Sequence, residues 1–405
     1  MPKKTMKSSS HRGAWPAPKR GKARSVAKRP SKKVVSKFAK IPYVRHGTPS
    51  TVSRPSRERW GRSIQRFASM KYPSLVRLLR QDQIIPEWSN RPCPHCGAGK
   101  LNKLTFYPYR KVWAHRCSAK FCQKYVQPHE FHPIFVQGAG ASQTSLQTQA
   151  SILLCATAAV PQHCVSKIMD VNDKIVSRIY NNLDIARARF VLAHEKHIQY
   201  GGSPRWVDVE ADEVDLGKGL VENNDKRKLN TRWEQWLGVV QRGSPASLRL
   251  IRLEPPLTKA RSPGPGPIRK RDWKPVAKQY LEGKRIVLHT DGARAYKLKL
   301  DQVEHCNVVH KKKKVKVNGK VMWVKPHYTK VHSLSLPDGN KLKVKSGTQI
   351  IDRCWQHLRS HLKYAPRFPG NDVMIRKIRS AQWVYWQKGK SLWTATGAMM
   401  KFLCK

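Results

Sequence analysis

Trp206-Val207-Asp208-Val209-Glu210-Ala211-Asp212-Glu213-Val214 alternates apolar and acidic side chains with the two-residue period of a β-strand. Asp208, Glu210 and Asp212 therefore share one face, with Glu213 on the other. Five acids lie within residues 208–215 of a chain that has only 25. Two readings fit such a cluster in a basic protein. One is an internal salt-bridge patch. The other is a site for a hard cation, since Mg²⁺ takes one or two carboxylates together with substrate phosphates.

Moving outward, Trp236-Leu237-Gly238-Val239-Val240 and Leu248-Arg249-Leu250-Ile251-Arg252-Leu253 read as two further strands, and residues 272–282 as a helix. Arg285-Ile286-Val287-Leu288-His289-Thr290-Asp291-Gly292 reads as a buried strand ending in an acid, where the ligands of α/β sheets sit. In residues 347–390 helical periodicity returns. Ile351, Cys354, Trp355, Leu358 and Leu362 trace a core stripe with Asp352 beside it, either complementing the helix dipole or pointing inward as a ligand.

The order strand acid, two strands, helix, strand ending in acid, later helix with acid is the layout of RNase H-like nucleotidyltransferases. With it the chain resembles the Merlin-type DDE transposases and their bacterial insertion-sequence relatives over about residues 90–390. The matching words are Val209-Glu210-Ala211-Asp212-Glu213, Gly217-Lys218, Trp236-Leu237-Gly238-Val239-Val240-Gln241-Arg242-Gly243, Thr290-Asp291-Gly292-Ala293-Arg294-Ala295-Tyr296, Val308-Val309-His310 and Gly347 through Arg359. The resemblance implies an RNase H-like domain over 203–390 that nicks transposon ends and transfers the 3′-hydroxyl to target DNA. It implies Asp212, Asp291 and Asp352 as catalytic ligands of Mg²⁺ or Mn²⁺, with Glu213 and His310 as secondary candidates, and a homo-oligomer assembled on DNA. Two departures stand out. The family's third acid is normally Glu where this chain has Asp352, and the Lys-rich insertion at 311–345 is long. A catalytically inactive, domesticated DNA-binding protein is the alternative. A structural nucleic-acid binder such as a ribosomal component is disfavoured, because a scaffold has no need of ordered acids at a sheet centre.

Charge points the same way. The chain has 405 residues, with 80 Lys and Arg against 25 acids, a formal +55 and a pI near 10.5. So much positive charge calls for a polyanionic partner, and nucleic acid is the commonest. It argues against an enzyme of small acidic metabolites. Residues 1–60 hold 18 Lys and Arg and one acid, Glu58. Residues 1–62 are therefore expected to be a disordered basic tail, whose clusters around Lys19–Lys33 suit a nuclear signal or DNA tether, a transit peptide or a plain solvated tail. The expected location is the nucleus in a eukaryote and otherwise the cytoplasm or nucleoid. No run of 18 apolar residues and no apolar signal segment occurs, so neither membrane nor secretion is expected.

Within 63–130, a helical lead-in precedes Cys93-Pro94-His95-Cys96, then Cys117 and Cys122. Two Cys pairs on knuckles offer the four soft ligands of a tetrahedral zinc ribbon, with buried free cysteines as the alternative. The second spacing is wider than usual, and His115 is a substitute ligand should that knuckle fail to close. His129 and His132 are expected to be plain surface histidines. Residues 145–200 suggest a helix-turn-helix with Asn172 or Asp173 as N-cap. Its third helix would turn Lys174, Ser177 and Arg178 toward DNA, although a non-binding trihelix has the same pattern. Lys311, Lys312, Lys313 and Lys314 are further expected DNA contacts. Turn signals within the insertion are Asn318-Gly319 and Asp338-Gly339.

Overall fold

The computed structural model describes residues 41–47, 59–137, 144–202, 204–222, 229–310, 313–317, 320–324 and 326–404. Ser63 caps the first helix, α1 (Ile64–Ser69), by accepting from the Arg66 amide. Helix α2 (Tyr72–Gln81) follows and buries Leu75, Val76, Leu78 and Leu79. Strands β1 (Thr105–Tyr107), β2 (Val112–Arg116) and β3 (Tyr125–Val126) make a small antiparallel sheet beside the cysteines. Three helices come next: α3 (Leu146–Thr157), α4 (Gln162–Met169) and α5 (Asp173–Glu195). The turn between the last two has Asp170 in the left-handed region. Asn172 then caps α5 by accepting from the Lys174 amide.

The main sheet is built from β4 (Val207–Glu222), β5 (Leu229–Gln241), β6 (Arg249–Arg252), β7 (Leu257–Lys259), β8 (Ile286–Thr290) and β9 (Val303–Asn307), with α6 (Lys270–Tyr280) between β7 and β8. Its order is β6-β5-β4-β8-β9, with β7 beside β5. The first three strands are antiparallel neighbours, whereas β8 runs parallel to β4 and β9 parallel to β8. Two hairpins follow, β10 (Lys313–Val317) with β11 (Lys320–Val324) and β12 (Lys330–Ser335) with β13 (Lys341–Ser346). The chain then forms α7 (Gln349–His361), α8 (Asp372–Trp386) and α9 (Leu392–Leu403).

Strand alternation divides the core in two. Val207, Val209 and Ala211 pack with Leu237 and Val239 against Trp273 and Ala277 of α6. On the opposite face Val214, Leu216, Trp236 and Val240 meet Ile351, Trp355 and Leu358 of α7. The result is a mixed α/β architecture with helices on both faces of a mixed sheet. Each fully buried Ile or Leu in these stripes contributes roughly 1.5–3 kcal/mol. Helices α1–α5, α8 and α9 bury side chains in the same cluster as α7, so the helical segment 145–200 shares its core with the sheet domain. No helix among the described residues is long and apolar enough to cross a membrane.

The structure corrects several expectations. The acid-rich strand ends at Glu222 rather than Val214, with a register shift between Asp215 and Gly217. The last helix, α9, lies beyond the anticipated boundary at 390 and joins the core through Trp393, Met399 and Met400. The disordered tail expected over 1–62 is placed at residues 41–47 and 59–62, with residues 1–40 and 48–58 lying outside the described residues. Buried carboxylates need donors, and this segment supplies them: Tyr43 to Glu210, Arg45 to Asp208 and Arg62 to Asp82. His129 and His132 are buried rather than superficial. His132 faces the Ile84 carbonyl through Nε2 and accepts the Ile134 and Phe135 amides on Nδ1, and burial lowers both imidazoles to about 4. The Asp338-Gly339 turn closes β12 onto β13, with Asn340 N–H on Asp338 Oδ1. Asn318-Gly319 lies outside the described residues.

Candidate active site

The acids on one face of β4 have three different environments. Asp208 accepts from Arg45 Nε at 2.7 Å and meets His289 Nε2 at 2.9 Å. Burial opposes its charge, but the hydrogen bonds from His289 and Arg45 outweigh it and hold the carboxyl at about 2. Burial pushes His289 down to about 3, so its imidazole is neutral and donates from Nε2, with Ser346 beside Nδ1. Glu210, fully buried, receives Arg242 Nε at 2.7 Å and the Tyr43 hydroxyl at 2.6 Å. Its Oε2 accepts the amides of Ile350 and Ile351 at 2.8 and 2.9 Å. A carboxylate of the strand thus caps the positive end of α7.

Among the described residues Asp212 has a single donor, the Trp355 indole N–H at 2.9 Å. The contact needs space between β4 and α7. Gly238, paired with Asp212 across β5, provides it: a methyl group there would overlap the Trp355 ring and come within 2.7 Å of Ile351 Cδ1. Asp291 follows the end of β8 and accepts the Ala293 amide on Oδ1 at 2.9 Å. Asp352 lies in the first turn of α7 and accepts from Thr348 Oγ1 on Oδ2 at 3.2 Å.

Asp212 and Asp352 both feel neighbouring acids. Burial raises Asp212 well above the usual carboxylate range, and the charges of Glu213, Asp352 and Asp291 raise it further against the Trp355 hydrogen bond. Partial burial also raises Asp352, which keeps an exposed outer side. Thr348 and His310 lower it and Asp291 raises it. Each acid has one oxygen engaged by the protein. The others, Asp212 Oδ1, Asp291 Oδ2 and Asp352 Oδ1, accept no hydrogen bond from the described residues. Hard oxygen donors that repel one another fit a divalent cation.

The remaining sequence candidates fall in different places. Both oxygens of Glu213 are taken, by the Ile268 amide and the Tyr296 hydroxyl, on the α6 side of the sheet. His310 stands near Asp352, its Nε2 buried without a partner among the described residues and its ring 5.3 Å from Tyr328. On α5, Lys174 and Arg178 are exposed, while Ser177 is half-buried and accepts from Asn181. Lys314 is exposed, and Lys313 is described as part of β10. Lys311 and Lys312 lie outside the described residues.

Sequence reasoning missed the supports: Glu210 as a helix cap, Trp355 as a donor, Gly238 as the space-maker, and Arg242. The Arg242 guanidinium is buried, stacks 3.9 Å from the Tyr43 ring centroid, and donates to the carbonyls of Tyr43, Lys345 and Gly347. It therefore ties the N-terminal segment to the turn that leads into α7. A buried Arg after a strand within a sequence of mixed charges carried no local signal.

Apart from the acids, Cys93, Cys96, Cys117 and Cys122 place their sulfurs within 4.8 Å of one another, the one cluster of this tightness among the described residues. Cys93 and Cys122 are 3.9 Å apart and Cys96 and Cys117 3.7 Å, close to the roughly 3.8 Å edge of a tetrahedron with Zn–S of about 2.3 Å. The Gly99 amide points at Cys96 Sγ, and a side chain at Gly99 would strike Cys117 Sγ. The cluster is compatible with a zinc site. His115 is not needed as a substitute, because its Nδ1 faces the Asn102 carbonyl and its Nε2 faces Arg80. No protein family, curated protein or solved structure matches the chain.

Proposed function

We propose that this chain is a DDE-type transposase with an RNase H-like catalytic domain, cutting DNA at transposon ends and transferring the new 3′-hydroxyl to target DNA. One observation carries the reading: the charges of Asp352 and Asp291 add to burial and to Glu213 in raising Asp212 on the central strand, Asp291 also raises Asp352 on the packed helix, and each of the three keeps an oxygen that accepts no hydrogen bond from the described residues. The strand order and the +55 charge support it.

Asp212, Asp291 and Asp352 would hold the divalent cation. Bound there, Mg²⁺ or Mn²⁺ supplies Lewis-acid stabilisation of phosphoryl charge and a more acidic water or hydroxyl. The chain's own contribution is positional. Trp355 orients the Asp212 carboxylate, Glu210 and Arg242 hold the start of α7 and so the backbone of Asp352, and His310 offers a free imidazole nitrogen beside Asp352 for a phosphate oxygen or water. The exposed Lys174, Arg178 and Lys314 would engage the DNA backbone, with the cysteine module holding zinc in a structural role.

The test is nicking of an end-bearing DNA duplex by the full chain with Mg²⁺, against Asp212→Asn and Asp291→Asn. Nicking lost in both variants while DNA binding persists supports the proposal. Wild-type protein that binds but never nicks with Mg²⁺ or Mn²⁺ would favour a binding-only, domesticated role. One observation leans that way: the three aspartates are not drawn into a cluster as tight as the cysteines.

A further inference from the structure

Between His310 and α7 the chain runs out into the ribbon β10–β11, which pairs Lys314 with Trp323, Val315 with Met322 and Lys313 with Val324. It belongs to no larger sheet among the described residues, and isolated two-stranded ribbons are marginal in water. β11 exposes four consecutive apolar side chains: Val321 at 56%, Met322 at 57%, Trp323 at 60% and Val324 at 43%. Strand alternation puts Val321 and Trp323 on one face and Met322 and Val324 on the other, so both faces are bare. Contiguous exposed apolar surface marks a binding site.

Charge and shape select the occupant. Residues 311–325 contain seven lysines and no acid, and Lys314 Nζ stands 5.0 Å from the Trp323 ring centroid. A second copy of this chain, with 80 basic residues against 25 acids, would meet the ribbon with like charge. An anionic membrane would cover one face and leave the other wet. Nucleic acid satisfies both features, because phosphates pair with lysine and bases stack on aromatic rings. Position adds to this. The stem of the ribbon carries His310, which lies beside Asp352, and the next exposed aromatic, Tyr328, packs against His310.

We infer that β10–β11 grips unpaired or unstacked DNA bases next to the acid cluster, with Trp323 stacked on a base and Lys314 on the neighbouring phosphate. The choice of DNA rests on the proposed function, and the experiment separates the two. Full-length protein is titrated in EDTA with a blunt duplex and with the same duplex bearing a short unpaired end that contains 2-aminopurine. Wild type should prefer the unpaired end and quench the probe. Trp323→Ala should lose about 5- to 150-fold in affinity for the unpaired end, little for the blunt duplex, and the quench. Trp323→Phe should keep most of both.

Equal affinity of Trp323→Ala and wild type for the unpaired end would overturn the inference, as would an equal loss on both duplexes. It would also fail if Trp323→Ala lost binding only to phosphatidylserine vesicles. Nicking is read separately with Mg²⁺. A stacking effect without nicking would spare this inference and sink the proposed chemistry, and nicking without a stacking effect would do the reverse.

Discussion

The Trp355 indole donates to the Asp212 carboxylate at 2.9 Å, joining the second turn of α7 to the middle of the central strand. Gly238 makes the approach possible. Gly238→Ala should therefore destabilise the fold by about 1–3 kcal/mol through overpacking. Trp355→Phe keeps most of the ring but removes the donor from a shielded carboxylate, and should cost about 1–3 kcal/mol. Urea unfolding measures both. A Gly238→Ala variant as stable as wild type would mean the helix does not rest where described.

Asp212 yields a pH signature. Its carboxyl is raised in the folded chain by burial and by Glu213, Asp352 and Asp291. As pH rises above about 4, the unfolded chain loses this proton first, so wild-type stability falls relative to a variant that cannot ionise. Asp212→Asn should gain on wild type between acid and neutral pH in EDTA, and added Mg²⁺ should narrow the gap by stabilising wild type alone. Melting temperatures across pH read the difference, which cancels the opposing titration of buried histidines such as His289 and His132. A variant that loses ground as pH rises would contradict the assigned direction.

Glu210→Gln should be the most damaging conservative change on β4. It keeps the shape but strips the charge that pairs with Arg242, whose side chain is 2% exposed. Breaking a buried pair from one side costs roughly 3–5 kcal/mol. The expected result is a large fall in the urea midpoint, or insoluble protein rescued by the double variant Glu210→Gln/Arg242→Met. Wild-type stability in the single variant would show that the ion pair does not anchor α7.

The cysteine module predicts metal content. Carefully reduced full-length protein should contain about one zinc per chain, and Cys96→Ser should lower that content without altering the sheet domain's own near-UV signal. Mass spectrometry under native conditions gives the count. Metal-free reduced protein with an intact fold would leave the four thiols as a buried cluster only.

Much of the site was legible because it is written locally. Period-two alternation fixed which β4 acids share a face, and the apolar run before Asp291 marked a strand end. The stripe Ile351, Cys354, Trp355 and Leu358 placed Asp352 on a helix, and paired cysteine spacing marked a knuckled cluster. What could not be read depends on partners far apart in the chain. Tyr43 and Arg45 reach acids more than 160 positions away, so a basic, proline-flanked segment looked like tail throughout. His129 and His132 looked superficial because nothing adjacent announces their burial, which for His132 comes with contacts to Ile84 and Phe135. Helix α9 was missed because its packing, rather than any catalytic word, gives it its place.

A rod fastened at one end can swivel about its fastening; fastened at two, it cannot. Helix α7 is held at its tip by Glu210, through Ile350 and Ile351, and again at Trp355 by Asp212. Asp352 sits between the two fastenings. Its backbone is therefore held against both sliding along the helix axis and rolling about it. Asp291, by contrast, follows a strand end and accepts one amide, that of Ala293, among the described residues. In the proposed cation site the freedom to adjust would therefore be lopsided, with the helix-borne acid set in place and the strand-end acid able to drift toward it.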